Sequence, residues 1–550
     1  MIPYIFRDVA ELTESFGFPA APKVLATSAT VNKNNALLLL SLLTFCATAS
    51  SAETLKPNFL IIVTDDQGYA DLSAFEHHAS DVHTPNMDRL AARGVLFTEA
   101  YVSAPVCSPS RAGWTTGRHQ VRWDPKSSFA CGLPKTVPHI AEIMKENGYT
   151  TARFGKNDYG KGMHRRDVRE YPLNHGYDEF LGFSAHGHDF FLLSKDIQKR
   201  TPDPKGHSAV VGPLMHNRGV KEFKDGYLTE IFTDAAIDFL RRHQRSGSRQ
   251  DFRSEPLSAE TLREFRYQNG NRETGSAAPF FLTLGYNSVH HLIHQSPKRY
   301  LDKFGVQEIP NYDPDQDGNY ADWFQRFITL REITDDEMRK YYLANLNCLD
   351  DNIGRVLNVL EELSLADNTL VIFFSDNGGP PTTGARNIPL AGSKFTLWEG
   401  GIRVPFILSR PGDPHAGETW DQPISALDVV PTCLDAAGIQ LPEGLDGRPI
   451  PKSTNDVRET RNLFWRWGHS YAVRSGDWKL LHNGGSKRKP TSGIVNRTKL
   501  LKGTRLFNLR DDPSESRDLA NEHPEVTQRL KKLYAVWSKE VAGEKGLWDQ

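Results

Sequence analysis

Two short, almost wholly apolar runs that stop abruptly at acidic residues constrain this chain more than any other feature. Asn58-Phe59-Leu60-Ile61-Ile62-Val63 ends at Thr64-Asp65-Asp66-Gln67-Gly68, and Leu370-Val371-Ile372-Phe373-Phe374 ends at Ser375-Asp376-Asn377-Gly378-Gly379. A continuous apolar strand is buried on both faces, the condition of a central strand in a parallel sheet. Other segments alternate around these two runs. The pattern predicts helices over 137–147 and 229–242 and strands over 150–154 and 280–285. Thr334-Asp335-Asp336-Glu337 has the spacing of a capping box, and Leu346, Leu349, Ile353, Val356 and Leu360 then follow at helical intervals. Strands alternating with helices predict an α/β fold: a large, mostly parallel sheet flanked by helices, with its ligand site beyond the carboxyl ends of the strands. Both acidic turns fall where that site belongs.

At 550 residues the chain exceeds what one hydrophobic core normally organises. We divide it into an N-terminal extension with a targeting signal over 1–52, a main domain over 53–460, and a smaller domain over 461–550. Residues 243–278 are polar, lack an apolar period, and read as a surface insertion in the main domain. After residue 461 come short strands at Tyr471–Arg474 and Trp478–Leu481, a basic loop at 487–489 and a helix over 524–541, which together predict a smaller α+β domain.

The signal is ALLLLSLLTFCATASSAE, preceded by the polar Asn32-Lys33-Asn34-Asn35. Its apolar run is too short to span a bilayer comfortably, and small residues near Ala52 offer a cleavage site, so it reads as an export signal with a mature start near Glu53. This predicts a periplasmic or extracellular protein with no stable membrane span. Phe45 suits a lipoprotein cleavage site at Cys46 poorly. Residues 1–31, upstream of the signal, have no role that can be read. Lys and Arg number 66 against 68 Asp and Glu, a net charge of -2, which gives no electrostatic case for nucleic acid as a partner. With Cys46 lost with the signal, Cys107, Cys131, Cys348 and Cys433 are too far apart for a disulfide framework or a paired zinc site. Cys348 and Cys433 sit in apolar helical patterns as small hydrophobes.

Asp65, Asp66, Asp376 and Asn377 offer three carboxylates and an amide oxygen, an all-oxygen set suited to calcium or magnesium. Either turn alone is an ordinary Asp/Asn-Gly turn; two of them, each directly after a buried strand, make a shared metal site the better reading. Cys107-Ser108-Pro109-Ser110-Arg111, followed by Ala112-Gly113-Trp114-Thr115-Thr116-Gly117-Arg118, adds the specific element. This stretch closely resembles the signature of the formylglycine-dependent sulfatases of the alkaline phosphatase superfamily. The likeness extends to His83-Thr84-Pro85-Asn86, to both acidic turns, to Glu399-Gly400-Gly401-Ile402-Arg403-Val404-Pro405, and to the closing Arg505–Leu509 and Asp512–Glu515, covering about residues 57 to 545.

The resemblance implies an alkaline phosphatase-like fold and hydrolysis of sulfate esters on a sulfated carbohydrate or aryl sulfate. It implies that a formylglycine-generating enzyme oxidises Cys107 to formylglycine, whose hydrated aldehyde is the nucleophile, held by one calcium ion. Asp65, Asp66, Asp376, Asn377 and the formylglycine at 107 are then the metal ligands. Arg111 stabilises the nucleophile, Lys156 and Lys394 bind sulfate, and His290 protonates the leaving alcohol, although the adjacent His291 competes for that place. Export and a stretch rich in histidine and aromatic residues around His186 and His188 point to sulfated carbohydrate, with those histidines lining a sugar pocket. Two other readings share the pattern: a phosphomonoester or phosphonate hydrolase on the same fold, and a non-catalytic carbohydrate-binding protein.

The chain departs from the family at Lys156-Asn157-Asp158, where Lys-x-His is usual, and at Val289, where Pro is usual. The histidine that contacts the formylglycine hydroxyl is thus absent from its place. A carboxylate at 158 between the cations Lys156 and Arg111 stays ionised and can accept a proton, which predicts Asp158 as the general base. The competing expectation is that Asp158 faces solvent or substrate and that His164 or His188 fills the vacancy.

Overall fold

The computed structural model describes residues 56–162, 165–202, 210–247, 278–329, 334–453, 461–484 and 502–542. The expected signal, His164, the basic loop at 487–489 and most of the expected insertion lie outside these residues. Among the described residues, the strands in chain order are β1 (Asn58–Thr64), β2 (Val95–Phe97), β3 (Ala100–Tyr101), β4 (Thr150–Lys156), β5 (Glu179–Phe183), β6 (Leu214–His216), β7 (Gly219–Lys221) and β8 (Phe280–Gly285). They continue as β9 (Thr369–Ser375), β10 (Phe406–Ser409), β11 (Thr419–Trp420), β12 (Ile424–Ser425), β13 (Asn462–Trp467), β14 (Ser470–Ser475), β15 (Trp478–Asn483) and β16 (Gly503–Asn508).

Ten of these form one sheet in the order β11-β2-β10-β9-β1-β8-β4-β5-β6-β7. Its centre, β9-β1-β8-β4-β5, is parallel throughout, and antiparallel pairs lie toward both edges. β1 occupies the middle because its side chains feed two cores. Leu60 and Ile62 enter one cluster with the helix Asp335–Glu362 and its neighbours, whereas Phe59, Ile61 and Val63 enter a second on the other face. An apolar run without alternation is what a two-sided strand requires.

The helix Asp335–Glu362 starts as the sequence predicts, with Thr334 and Glu337 forming a reciprocal capping box. Two other helices differ from expectation. The first opens at Ile140 rather than 137, since Pro138 disfavours helical geometry at Val137 and His139 serves as the cap, its ring accepting from the Ala141 amide. The second runs Leu228–Gly247, five residues into the expected insertion. β4 extends two residues beyond expectation, to Lys156. Its Gly155 (φ 106) makes this feasible: a Cβ there would lie 1.9 Å from the Gly285 carbonyl oxygen of β8.

β13 to β16 form a four-stranded antiparallel sheet in sequence order, with the helix Pro524–Ala542 packed on one face through Val473, Leu480, Leu506 and Leu530. Its other face shares the second core of the large sheet through Trp465, Ala472, Leu481 and Phe507. Between the sheets, the fully buried Lys479 Nζ lies 2.8 Å from Glu399 and 2.9 Å from Glu515. Glu399 and Glu515 belong to two of the sequence motifs noted above, and this ion cluster is the physical reason those distant segments go together.

Candidate active site

Cys107 is the first residue of a ten-residue helix, Cys107–Thr116, all of which is buried. The sequence does not announce this helix. Ser108, Ser110 and Gly113 are weak helix formers, and packing against the sheet decides the matter: a Cβ on Gly113 would sit 2.3 Å from Ser103 Oγ. The helix places the Cys107 thiol at its positive end. Arg111, one turn on, reaches back to the strand ends, with Nε 2.8 Å from Asp376 Oδ2 and Nη1 3.2 Å from the Lys156 carbonyl.

The acidic turns of β1 and β9 meet as neighbouring parallel strands must, with Thr64 paired to Ser375. Carboxylate oxygens of Asp65, Asp66 and Asp376 lie within 4.8 Å of one another, all three residues fully buried. Asp66 holds φ 66, a left-handed conformation that Asp tolerates better than most residues. Asp65 Oδ1, Asp66 Oδ2 and Asn377 Oδ1 have no hydrogen-bond partner within the protein. Asn377 gives its amide hydrogen to Asp66 Oδ1 at 2.7 Å, which leaves its carbonyl oxygen as the free donor atom. Buried oxygens without partners, converging from two strand ends, are costly unless a cation fills the space between them. The set fits a hard divalent ion. Burial and the charge of Asp65 push the Asp376 carboxyl up to about 6 despite Arg111 beside it, and burial likewise raises Asp65.

Two buried lysines close on the carboxylates, one from a strand and one from a turn. Lys156, at the end of β4, places Nζ 2.7 Å from Asp65 Oδ2, and Lys394 places Nζ 2.6 Å from Asp66 Oδ1. Burial opposes their charge, but the adjacent carboxylates and the Cys107 sulfur hold both above the ordinary lysine value. His290 Nε2 lies 3.7 Å from Asp66 Oδ2. His291 packs edge-on at 4.5 Å and also has a ring nitrogen within 4.8 Å of the Asp66 and His290 ligand atoms, so both histidines face this site. Burial and the Lys394 charge push both imidazoles far down, His291 to about 3.

Asp158 is fully buried and faces the site rather than solvent. Its Oδ1 accepts from Ser108 Oγ at 2.7 Å and lies 3.1 Å from His186 Nδ1, while Oδ2 lies 3.4 Å from Lys156 Nζ. The Cys107 thiol, an Asp158 oxygen and a His186 ring nitrogen fall within 4.8 Å of one another. His186 is raised to about 10, chiefly by the charge of Asp158. Burial favours the neutral acid at Asp158, but His186 and Lys156 outweigh it and hold the carboxyl well below its usual range. His188 does not reach this group: it is buried against Phe183, with Nδ1 on the Asp189 carbonyl. The neighbour of the thiol is therefore His186, which the sequence places only in a sugar pocket. The signal that finds it is sheet order, since β4 and β5 are adjacent with Lys156 paired to Phe183, so residues two or three beyond each strand meet.

No helix among the described residues is long and apolar enough to cross a membrane. Comparison with known proteins matches residues 57–252 and 255–439 to the family model "Sulfatase", and residues 393–539 to "N-sulphoglucosamine sulphohydrolase, C-terminal". Arylsulfatase J of Mus musculus is 27% identical over 536 residues, covering 89% of this chain and 77% of that protein. N-acetylgalactosamine-6-sulfatase of Homo sapiens is 27% identical over 525 residues, covering 87% and 84%. Among solved structures, Ps i-CgsB in complex with k-i-k-neocarrahexaose superposes with a TM-score of 0.66 at 27% identity, covering 88% of this chain and 93% of that one.

Proposed function

This chain belongs to the sulfatase family and is a sulfuric ester hydrolase, and from that premise we propose that its substrate is a sulfated carbohydrate, cleaved by an exported enzyme whose nucleophile is formylglycine made from Cys107. The observation that carries this reading is the set of three buried cations, Arg111, Lys156 and Lys394, seated on Asp376, Asp65 and Asp66, in a site where the Cys107 thiol also lies beside Asp158 and His186. A sulfate ester needs that arrangement, because negative charge develops on its oxygens as the S–O bond breaks. The carbohydrate assignment is supported by the names of relatives that act on or bind sugars, N-acetylgalactosamine-6-sulfatase and the carrageenan-oligosaccharide complex among them.

A hydrated aldehyde at 107 would supply an oxygen nucleophile. Asp65, Asp66, Asp376 and Asn377 would hold one calcium ion, which would supply Lewis-acid stabilisation of negative charge. The chain's own side chains do the rest. Lys156 and Lys394 hold the sulfate between them, and Arg111 fixes Asp376 and the N-terminal turn of the nucleophile helix. His290 gives its proton to the departing alcohol. Burial and the nearby cations oppose that proton, and a sulfate anion between Lys156 and Lys394 offsets the part due to the cations. The surroundings of Asp158 favour a positioning task for it: it holds His186 charged against residue 107, and the imidazolium presents its proton to the oxygen there.

The test is turnover of matched sulfate and phosphate esters by the wild type and Cys107→Ala. Release of sulfate from sulfated galactan or glycosaminoglycan fragments, lost in Cys107→Ala, supports the reading. Faster turnover of the phosphate ester reassigns the enzyme to a phosphohydrolase on the same fold.

A further inference from the structure

Phe395, directly after Lys394, is one of the few large apolar side chains exposed on the surface, at 38% of its accessible area. Its backbone has φ 70, a conformation that bulky residues avoid, and its amide donates to the Pro105 carbonyl at 2.8 Å. Strain of this kind persists where the surroundings enforce it, and here it turns an aromatic ring outward beside the site. Phe129 lies 5.9 Å from it, Trp467 lies 5.6 Å from Phe129, and His186 lies 5.7 Å from Phe129 on the inner side. Phe129 and Phe395 join none of the hydrophobic clusters of the core. The mounting is firm: the Gly468 amide, next to Trp467, donates to the Lys126 carbonyl at 3.1 Å and ties the Phe129 loop to the end of β13.

A row of partly exposed rings leads away from Lys394 and His186, anchored where Trp467 packs against the second core. It is also continuous with the sulfate site. Aromatic faces beside a polar pocket suit a flat ligand with an apolar side and polar edges, which describes a pyranose ring. We propose that the exposed Phe395 ring is the stacking platform for a second sugar ring of the substrate, beyond the ring that carries the scissile sulfate, with Phe129 tilted at 55° beside it and Trp467 edge-on to Phe129 at 81° bracing it. This rests on the carbohydrate reading above and adds that the enzyme acts on chains rather than on single sugars. Lys394, with Nζ 5.5 Å from the Phe395 ring centroid, couples the two places by anchoring the sulfate at one end of the platform.

Rates are measured with sulfated galactan and glycosaminoglycan fragments of one ring and of two to six rings, on full-length wild type, Phe395→Ala, Phe129→Ala and Phe395→Trp. The wild type prefers the longer fragments. Phe395→Ala and Phe129→Ala each cut the preference, taken as the ratio of kcat/KM values, by about tenfold, mainly through KM, and Phe395→Trp restores it. A preference unchanged in both alanine variants, with their melting temperatures intact, overturns the platform. A wild type that hydrolyses sulfated monosaccharides and gains nothing from a second ring overturns the platform alone. One that hydrolyses an aryl sulfate but no sulfated saccharide of either length overturns the carbohydrate reading with it.

Discussion

His186 Nδ1 lies 3.1 Å from the Asp158 oxygen that also accepts the Ser108 hydroxyl at 2.7 Å. Two loops that follow neighbouring strands thus hold one imidazole beside the residue expected to become the nucleophile. An imidazole from the loop after β5 stands against Asp158, two residues beyond the Lys156 that ends β4.

The first prediction separates the two members of this pair. His186→Ala lowers kcat by about 10²- to 10⁴-fold, the range of a lost proton-transfer group. Asp158→Asn lowers it less, because an amide oxygen can still receive the His186 N–H, and a histidine restored at 158 in the His186→Ala background recovers part of the rate. Stopped-flow release of an aryl alcohol checks this. A larger loss for Asp158→Asn than for His186→Ala makes Asp158 itself the base.

A second prediction concerns the metal. Three buried carboxylates, two of them with a partnerless oxygen, and the partnerless Asn377 carbonyl favour a bound cation, so exhaustive chelation lowers both turnover and the melting temperature, and calcium restores both. Asp376→Asn retains the hydrogen-bond acceptor for Arg111 but lowers the ion content measured by elemental analysis. Full turnover in metal-free protein contradicts the assignment.

A third prediction tests the ion cluster between the sheets. Lys479→Met leaves Glu399 and Glu515 buried without their cation and costs about 3–5 kcal/mol of stability. Burial pushes the Glu515 carboxyl up to about 7, above its unfolded value, so the folded protein binds that proton more tightly. The stability it contributes is complete below the unfolded value and is lost as pH rises through about 7. Glu399 is shifted down, and its contribution is lost only in acid. Melting temperature therefore falls between about pH 5 and 8 in the wild type, and Glu515→Gln flattens that fall.

The strand ends were legible because a strand buried on both faces needs an unbroken apolar run, and an acidic turn after it has no structural reason to recur. β1 and β9 announce themselves in this way, and with them Asp65, Asp66, Asp376 and Asn377. The helix at Cys107 was not legible, since its residues favour turns and only burial against the sheet makes it helical. The place of His186 was hidden for a different reason. Sequence distance separates it from Asp158 by 28 residues, and only the pairing of Lys156 with Phe183 across β4 and β5 brings the two together. His290 and His291 both reach Asp66, which spacing along one loop does not separate.

The central claim is that Cys107 is the precursor of the nucleophile, and the mass of the peptide carrying residue 107, isolated from enzyme that turns over a sulfate ester, tests it most directly. The account predicts the mass of an aldehyde in place of the thiol, in proportion to specific activity across preparations. An unmodified thiol throughout fully active enzyme contradicts it.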